Sequence, residues 1–326
     1  MRAVVIREPG EPEVLELQEV DTPQPGGAEV RIRVHAAGLN RADLLQRRGL
    51  YPPPPGVDER IPGLEYAGVV EALGPRAVSA QVGDRVMGLT GGAACADYVV
   101  VHERELLPVP ADIPFTEAAA IPEVFMTAWR ALFVAGGLRR GQWALVRAAT
   151  SGVGQAAIQL IHALDARSIG TSRSAERLAK LQALGMDIGH VDGEGELTEV
   201  VRAADGEGVD VVLDLLGGGA LQANLDALRP EGRMVVIGLL GGLDDRLDFT
   251  RLLMKRLTVQ AMTMRSLPLE RRIVLAVRFS SEILPLFEAG KLKPQVDSVY
   301  PLDAAADAHR HMENSGHFGK VILDLG

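Results

Sequence analysis

QWALVRAATSGVGQAAIQLIHA, residues 142–163, decides the fold. Trp143 to Val146 is an apolar run of strand length, and Ala148 to Gly154 is a turn of small residues. Ile158, Ile161 and Leu164 then recur at helical spacing, so the stretch predicts strand, tight turn and helix. Such a unit aims a helix N-terminus at an anion, because first-turn N–H groups lack helical acceptors and the dipole is positive there. A pyrophosphate is the anion expected. Gly152 would let backbone approach it, Gly154 would let helix and strand pack closely, and Val153 shares the first turn. Ser151 would add a hydroxyl at the helix start. The turn departs from G-x-G-x-x-G, since Ala149 or Thr150 stands where the first glycine belongs. A bare packing turn could carry the same residues, so the surroundings must decide.

Outward from this unit, strands and helices alternate. Strands are expected at 143–147, 167–171, 188–191, 209–213, 233–237 and 257–262, with helices near 153–164, 174–184, 195–203, 219–228 and 247–255. Six strands with helical crossovers make a doubly wound parallel sheet. Helices over 270–289 are expected to complete this domain, 123–289. Residues 1–122 read instead as short strands between Gly and Pro turns, at 2–6, 30–36, 66–73, 85–89 and 97–102, with one helix over 40–48. The Tyr51-Pro52-Pro53-Pro54-Pro55-Gly56 segment excludes regular helix. This upstream part predicts a compact barrel-like domain, and residues 290–326 are expected to return to it.

Composition excludes several functions. A net charge of −9 with only 4% aromatic residues argues against nucleic-acid binding, which needs clustered cations or stacking surfaces. The pairs Arg47-Arg48, Arg139-Arg140 and Arg271-Arg272 are read as solvated faces. The single cysteine, Cys95, allows no intrachain disulfide and no four-cysteine zinc site, and is expected to be buried and inert. No signal peptide is evident, and no run reaches the roughly 18 apolar residues of a membrane span. A cytoplasmic protein without membrane partners is the expectation.

The second strand addresses the cofactor. An NAD site places an acidic residue about 20 positions beyond the glycines, to bond the ribose 2′-hydroxyl. Here the strand ends in Ser172-Arg173-Ser174, with Arg177 following, so guanidinium groups stand where a 2′-phosphate would lie. The alternative is that Arg173 and Arg177 are solvated residues of a helix start. NADPH is the expected cofactor, with Ser172, Arg173 and Arg177 at its phosphate. Asp214, ending the fourth strand, is read as shaping a turn. Glycine clusters at 217–219 and 238–242 follow strands four and five on the binding edge of the sheet, and Gly238, Leu239 and Leu240 are counted as cofactor contacts.

These features resemble the medium-chain dehydrogenase/reductase superfamily over the whole chain, and most closely its zinc-independent quinone oxidoreductases. The segments that carry the resemblance are Asn40-Arg41-Ala42-Asp43-Leu44, Tyr51-Pro52-Pro53-Pro54, Gly63-Leu64-Glu65-Tyr66-Ala67-Gly68, Gly83-Asp84-Arg85-Val86, Ser151-Gly152-Val153-Gly154 and Gly319-Lys320-Val321. The resemblance implies an α/β architecture: a GroES-like β-barrel catalytic domain and a six-stranded Rossmann domain, with NADPH in the cleft between them. It also implies a homodimer or homotetramer. It places Asn40, Asp43 and Tyr51 at the nicotinamide and substrate as catalytic candidates. Thr127 would lie near the nicotinamide, and Arg265 and Lys320 at cofactor positions. Relatives with a tyrosine near Asp192 use it at the 2′-phosphate, and an aspartate there would repel that group.

Zinc members of the superfamily carry a cysteine near the position of Asn40 and a histidine where this chain has Leu64. The seven histidines are scattered, and His309 and His311, two apart, fall on different helix faces. No metal is expected. Without that Lewis acid, an acceptor already electrophilic, such as a quinone, is favoured. The expectation is an NADPH:quinone reductase. The alternatives are an enoyl or enone reductase, and an NADPH-binding regulatory protein with vestigial activity.

Overall fold

A computed structural model describes residues 1–314 and 316–326. The chain divides into two units, Met1–Glu123 with Arg265–Gly326, and Val124–Met264.

The first unit is built on antiparallel strands. β1 (Arg2–Ile6) pairs with β2 (Leu15–Glu19), a strand the sequence reading missed. β3 (Glu29–Gly38) is the longest strand here and the centre of a seven-stranded sheet with β4 (Glu65–Leu73), β5 (Arg85–Leu89), β6 (Tyr98–His102) and β7 (Leu107–Pro108). α1 (Arg41–Arg47) follows β3 directly, α2 (Phe115–Ala118) lies near the end of the N-terminal portion, and α3 (Pro122–Trp129) begins at its last two residues and continues as part of the second unit. α3 runs on as a π-helical turn, Arg130–Ala135.

The second unit is a parallel sheet. Its strands are β8 (Trp143–Val146), β9 (Arg167–Ser172), β10 (Ile188–Val191), β11 (Val209–Asp214), β12 (Leu228–Val236) and β13 (Thr258–Ala261). The crossovers contain α4 (Gly152–Ala163), α5 (Ala175–Gln182), α6 (Leu197–Asp205), α7 (Leu221–Ala227) and α8 (Phe249–Met254). The spatial order is β10-β9-β8-β11-β12-β13, the doubly wound arrangement whose ligand edge lies at the strands' C-terminal ends. α4 is more than amphipathic: Gly154 through Ile161 are all buried, as in a helix covered on every side. Leu164, expected on its apolar face, is instead its half-buried C-cap.

The remaining elements are α9 (Leu269–Glu282), α10 (Leu284–Glu288), β14 (Val296–Pro301), α11 (Ala305–Glu313) and β15 (Lys320–Asp324). β15 pairs antiparallel with β3 and parallel with β14, which brings the C-terminal segment into the first sheet. α9 and α10 differ from expectation. They belong to the first unit, not to the dinucleotide-type sheet, and Arg272 of α9 pairs with Glu105 there at 2.9 Å.

Two other expectations are corrected. Arg47 is not a solvated cation. It is fully buried, donates to Gly10 O at 2.9 Å, pairs with Glu313 at 2.5 Å, and meets His309 Nδ1 at 3.3 Å. Phe115–Ala135 is a helical stretch long and apolar enough to cross a membrane, but 72% of its most apolar window is buried inside the protein, as in a core helix. Cys95 is buried as expected, and burial pushes its thiol well above the usual range, so it is not a ready thiolate.

Candidate active site

In the first unit, a chain of buried polar groups joins four elements. Glu65 opens β4 and is inaccessible to solvent. Its Oε1 accepts from Lys320 Nζ at 2.5 Å and from Asn40 Nδ2 at 3.0 Å, and its Oε2 accepts from the Glu123 N–H at 2.8 Å. Lys320 also donates to Leu39 O at 2.6 Å and Asn40 Oδ1 at 2.7 Å. An ammonium has three donors, so all are matched by protein acceptors. Lys320 therefore orients Asn40 and balances Glu65, and has no donor left for a cofactor. Asn40 is equally committed: its amide donates to Glu65 and to Gly38 O at 3.1 Å. Its expected bond to a substrate would require one of these to open.

Asp43 is fully buried and clamped. One oxygen accepts from Asn40 N at 2.7 Å, the other from Gly63 N at 2.8 Å. Gly63 has φ of 110° and a Cβ there would meet Cys95 N at 2.5 Å, so only glycine can present that N–H. Burial pushes the Asp43 carboxyl up to about 6 against these two bonds and the charge of Lys320. Its geometry is that of a positioning residue which fixes the start of α1, not of a reacting group.

Tyr51 is half-buried, and Arg265 stands 5.1 Å from its ring centroid. Arg265 donates to Tyr51 O at 2.9 Å, Gly91 O at 2.7 Å and Gln46 Oε1 at 2.5 Å. Like Lys320, it serves first to fix its own unit. Burial raises the Tyr51 hydroxyl above its ordinary value, which keeps it protonated. Glu123, half-buried, has its carboxyl pushed up to about 7 by burial and by the neighbouring Glu65.

The second unit holds the turn at which an anion cradle is expected. Ser151 caps α4, its Oγ accepting from Gly154 N at 3.1 Å. The N–H groups of Gly152 and Val153 occupy the first turn, where no helical acceptor exists. A Cβ on Gly154 would lie 2.5 Å from Ala149 O, which is the close packing the sequence anticipates. β9 ends at Ser172, whose Oγ lies 3.2 Å from Thr150 Oγ1 and accepts from Ser174 N at 3.2 Å. Arg173 is exposed just beyond, and Arg177 N is capped by Ser174 Oγ at 3.3 Å. Asp214 turns the chain after β11, accepting from Leu216 N and Gly217 N at 3.0 and 3.1 Å. The two glycine clusters are tied together by Gly218 N to Gly242 O at 2.9 Å, and the side chains of Leu239 and Leu240 stay exposed beside Gly238. Thr127 Oγ1 is buried without a partner among the described residues, as a group awaiting a ligand would be.

Glu65, Glu123, Gln46 and Arg147 were not picked out from the sequence. Arg147 follows β8 and pairs with Asp192 at 3.0 Å. A signal existed: Glu65 and Lys320 each directly precede a run of apolar strand residues, and a charge buried in such a place must be paired. No group of three His, Cys, Asp or Glu residues is arranged to hold a metal among the described residues.

Residues 26–111 match the alcohol dehydrogenase GroES-like domain, and residues 188–323 match the zinc-binding dehydrogenase family. The chain is 33% identical over 321 residues to the rat synaptic vesicle membrane protein VAT-1 homolog, covering 93% of this chain and 78% of that protein. It is 31% identical over 329 residues to the quinone oxidoreductase of Lama guanicoe, covering 100% and 98%. Among solved structures, an NAD-dependent alcohol dehydrogenase superposes with a TM-score of 0.89 at 35% identity over all of both chains. A mycobacterial protein complexed with NADPH gives 0.88 at 27% identity, again over all of both chains. The JamJ enoyl reductase gives 0.88 at 26%, covering 100% of this chain and 99% of that one. With such likeness along its full length, the chain is an oxidoreductase that belongs to the medium-chain dehydrogenase/reductase superfamily, among its quinone oxidoreductases.

Proposed function

We propose that this protein is an NADPH-dependent reductase that works without a metal on a quinone or comparably electrophilic acceptor. The observation that carries the reading is the state of Glu65. The residues aligned with a zinc site by resemblance are Asn40 and the buried Leu64, and the adjacent Glu65 carboxylate is spent on Lys320, Asn40 and the Glu123 N–H. The cofactor reading is supported by the α4 cradle, by Arg173 and Arg177 beyond β9, and by the partnerless Thr127 hydroxyl. Gly152, Val153 and Ser151 would hold the pyrophosphate; Ser172, Arg173 and Arg177 the 2′-phosphate; and Thr127, Gly238, Leu239 and Leu240 the nicotinamide end. When bound, the dinucleotide supplies the hydride. The chain itself positions the acceptor with Tyr51, and with Asn40 once its amide releases Glu65 or Gly38 O; the protonated Tyr51 hydroxyl can give a proton to a developing oxyanion. Lys320 and Arg265 act behind them.

The test is NADPH consumption against small quinones and α,β-unsaturated ketones, with NADH in parallel and again after dialysis against a chelator. Quinone turnover that survives dialysis is expected. The likeness to the JamJ enoyl reductase favours a second reading, and turnover of enones but not quinones would establish it in place of the first. Tight NADPH binding with no acceptor reduced would make the chain a binding protein instead. The reading is of a cytoplasmic enzyme.

We also infer a homodimer, or a tetramer built from it, through β13. All four residues of this edge strand are exposed, as are Phe249, Leu253 and Met254 of α8. An unpaired apolar edge is ordinarily covered or paired. Val259→Asp should convert the assembly to monomer in light scattering, and a wild-type monomer would refute the inference.

A further inference from the structure

The end of β9 is not free of carboxylates, although its own sequence contains none. β9 lies between β8 and β10 in the sheet. Arg147, just after β8, reaches across to Asp192, just after β10, with Nη2 at 3.0 Å from Oδ1. Thr171 of β9 donates to the other Asp192 oxygen at 3.3 Å, and the Asp192 N–H donates to Ser172 O at 2.9 Å. Asp192 is thus fixed beside the last residue of β9, supplied by the neighbouring strand. Its side chain is 26% exposed and that of Arg147 only 8%, so the carboxylate is the accessible member of the pair. The Nε and Nη1 atoms of Arg147 are buried and have no partner among the described residues.

This is the place where dinucleotide folds distinguish a ribose 2′-hydroxyl from a 2′-phosphate. A lone carboxylate here would accept from the hydroxyl and repel the phosphate. Paired with a guanidinium, it presents no net charge, and the repulsion of a phosphate is removed. We propose that Arg147 is the specificity-determining residue for the dinucleotide: it neutralises Asp192 and so lets the end of β9 take a 2′-phosphate. The proposal rests on the NADPH reading above and deepens it.

Binding decides this without turnover. NADPH, NADH, 2′,5′-ADP and 5′-AMP are titrated calorimetrically into the wild type, Arg147→Gln, Asp192→Asn and the double variant. Arg147→Gln should weaken NADPH and 2′,5′-ADP about tenfold or more, since an unbalanced carboxylate then faces a phosphate, and leave NADH and 5′-AMP within about twofold. Adding Asp192→Asn should restore the phosphate-bearing ligands. Equal changes in both classes, or no recovery in the double variant, would reduce the pair to structural support. If Arg147→Gln does not fold, Asp192→Asn carries the test alone: the preference for 2′,5′-ADP over 5′-AMP should rise, and a fall overturns the proposal. A wild type that prefers 2′,5′-ADP while the variants change nothing overturns only the role of Arg147. A wild type with no such preference overturns the NADPH reading as well.

Discussion

Lys320→Met should lower the stability of the first unit by on the order of 3–5 kcal/mol, the cost of leaving one member of a buried ion pair without its partner. Glu65 is wholly buried, and the ammonium at 2.5 Å is its only ion-pair partner among the described residues. After the substitution its carboxylate keeps two neutral donors, Asn40 Nδ2 and the Glu123 N–H. Burial without a compensating cation favours the neutral form of a carboxyl and so raises its pKa. A carboxyl shifted in that direction favours the folded state at low pH, and the benefit disappears as pH rises. The loss relative to wild type should therefore be larger at pH 8 than at pH 5. Wild type must be measured beside it, because Asp43, at about 6, and Glu123, at about 7, titrate in the same window. Differential scanning calorimetry reads the outcome as a fall of roughly 10 °C in the transition of this unit. A loss that does not depend on pH would show that packing, not charge, is what Lys320 contributes. The double variant Lys320→Met, Glu65→Leu should recover much of the stability, since replacing a whole buried pair by apolar groups is often neutral. It should not recover turnover. Asn40 would have lost two of the three groups that orient its amide, so kcat should fall while dinucleotide affinity in the other unit holds.

The parts of this arrangement that were legible in the sequence are those set by local pattern. The βα alternation from Gln142 onward gives six parallel strands because each apolar run is too short for a buried helix and each is followed by helical spacing. The turn at Ala148–Gly154 was readable because small residues there have few other uses. What was not legible depends on partners distant in sequence. Lys320 and Asn40 are 280 positions apart and meet only because β15 pairs with the end of β3. β2 was missed because Leu15–Glu19 is mostly polar and earns its place only by pairing with β1. Arg47 looked like a surface cation because its partners come from the segment around Gly10 and from α11. Asp192 was read as a repulsive group at the cofactor because its neutralising partner, Arg147, stood as the polar end of a strand and drew no separate reading. In each case the residue type was visible and its charge balance was not.

Gly154→Ala should reduce NADPH affinity by about 100-fold, the scale on which an error of about 1 Å in a binding element is felt. The added Cβ would lie 2.5 Å from Ala149 O and 2.6 Å from both its carbonyl carbon and its Cα. All three are backbone atoms, and the Ala149 N–H is itself tied to Thr171 O at 2.8 Å, so the turn cannot retreat without breaking into β9. α4 must move instead, and with it the first-turn N–H groups of Gly152 and Val153 that would face the pyrophosphate. The helix gains about 1 kcal/mol of propensity from alanine, while overpacking typically costs about 1–3 kcal/mol, so the fold should survive with a modest net loss. Affinity and stability therefore separate: calorimetric titration should show the large binding defect while the melting temperature moves little. NADH should suffer as much as NADPH, since the pyrophosphate is common to both; this distinguishes the lesion from the one expected at Arg147, which spares NADH. Adding Ala149→Gly should give no rescue. The obstructing atoms belong to the Ala149 main chain, which glycine retains, so recovery of binding in that double variant would mean the Ala149 side chain sets the spacing between α4 and the turn.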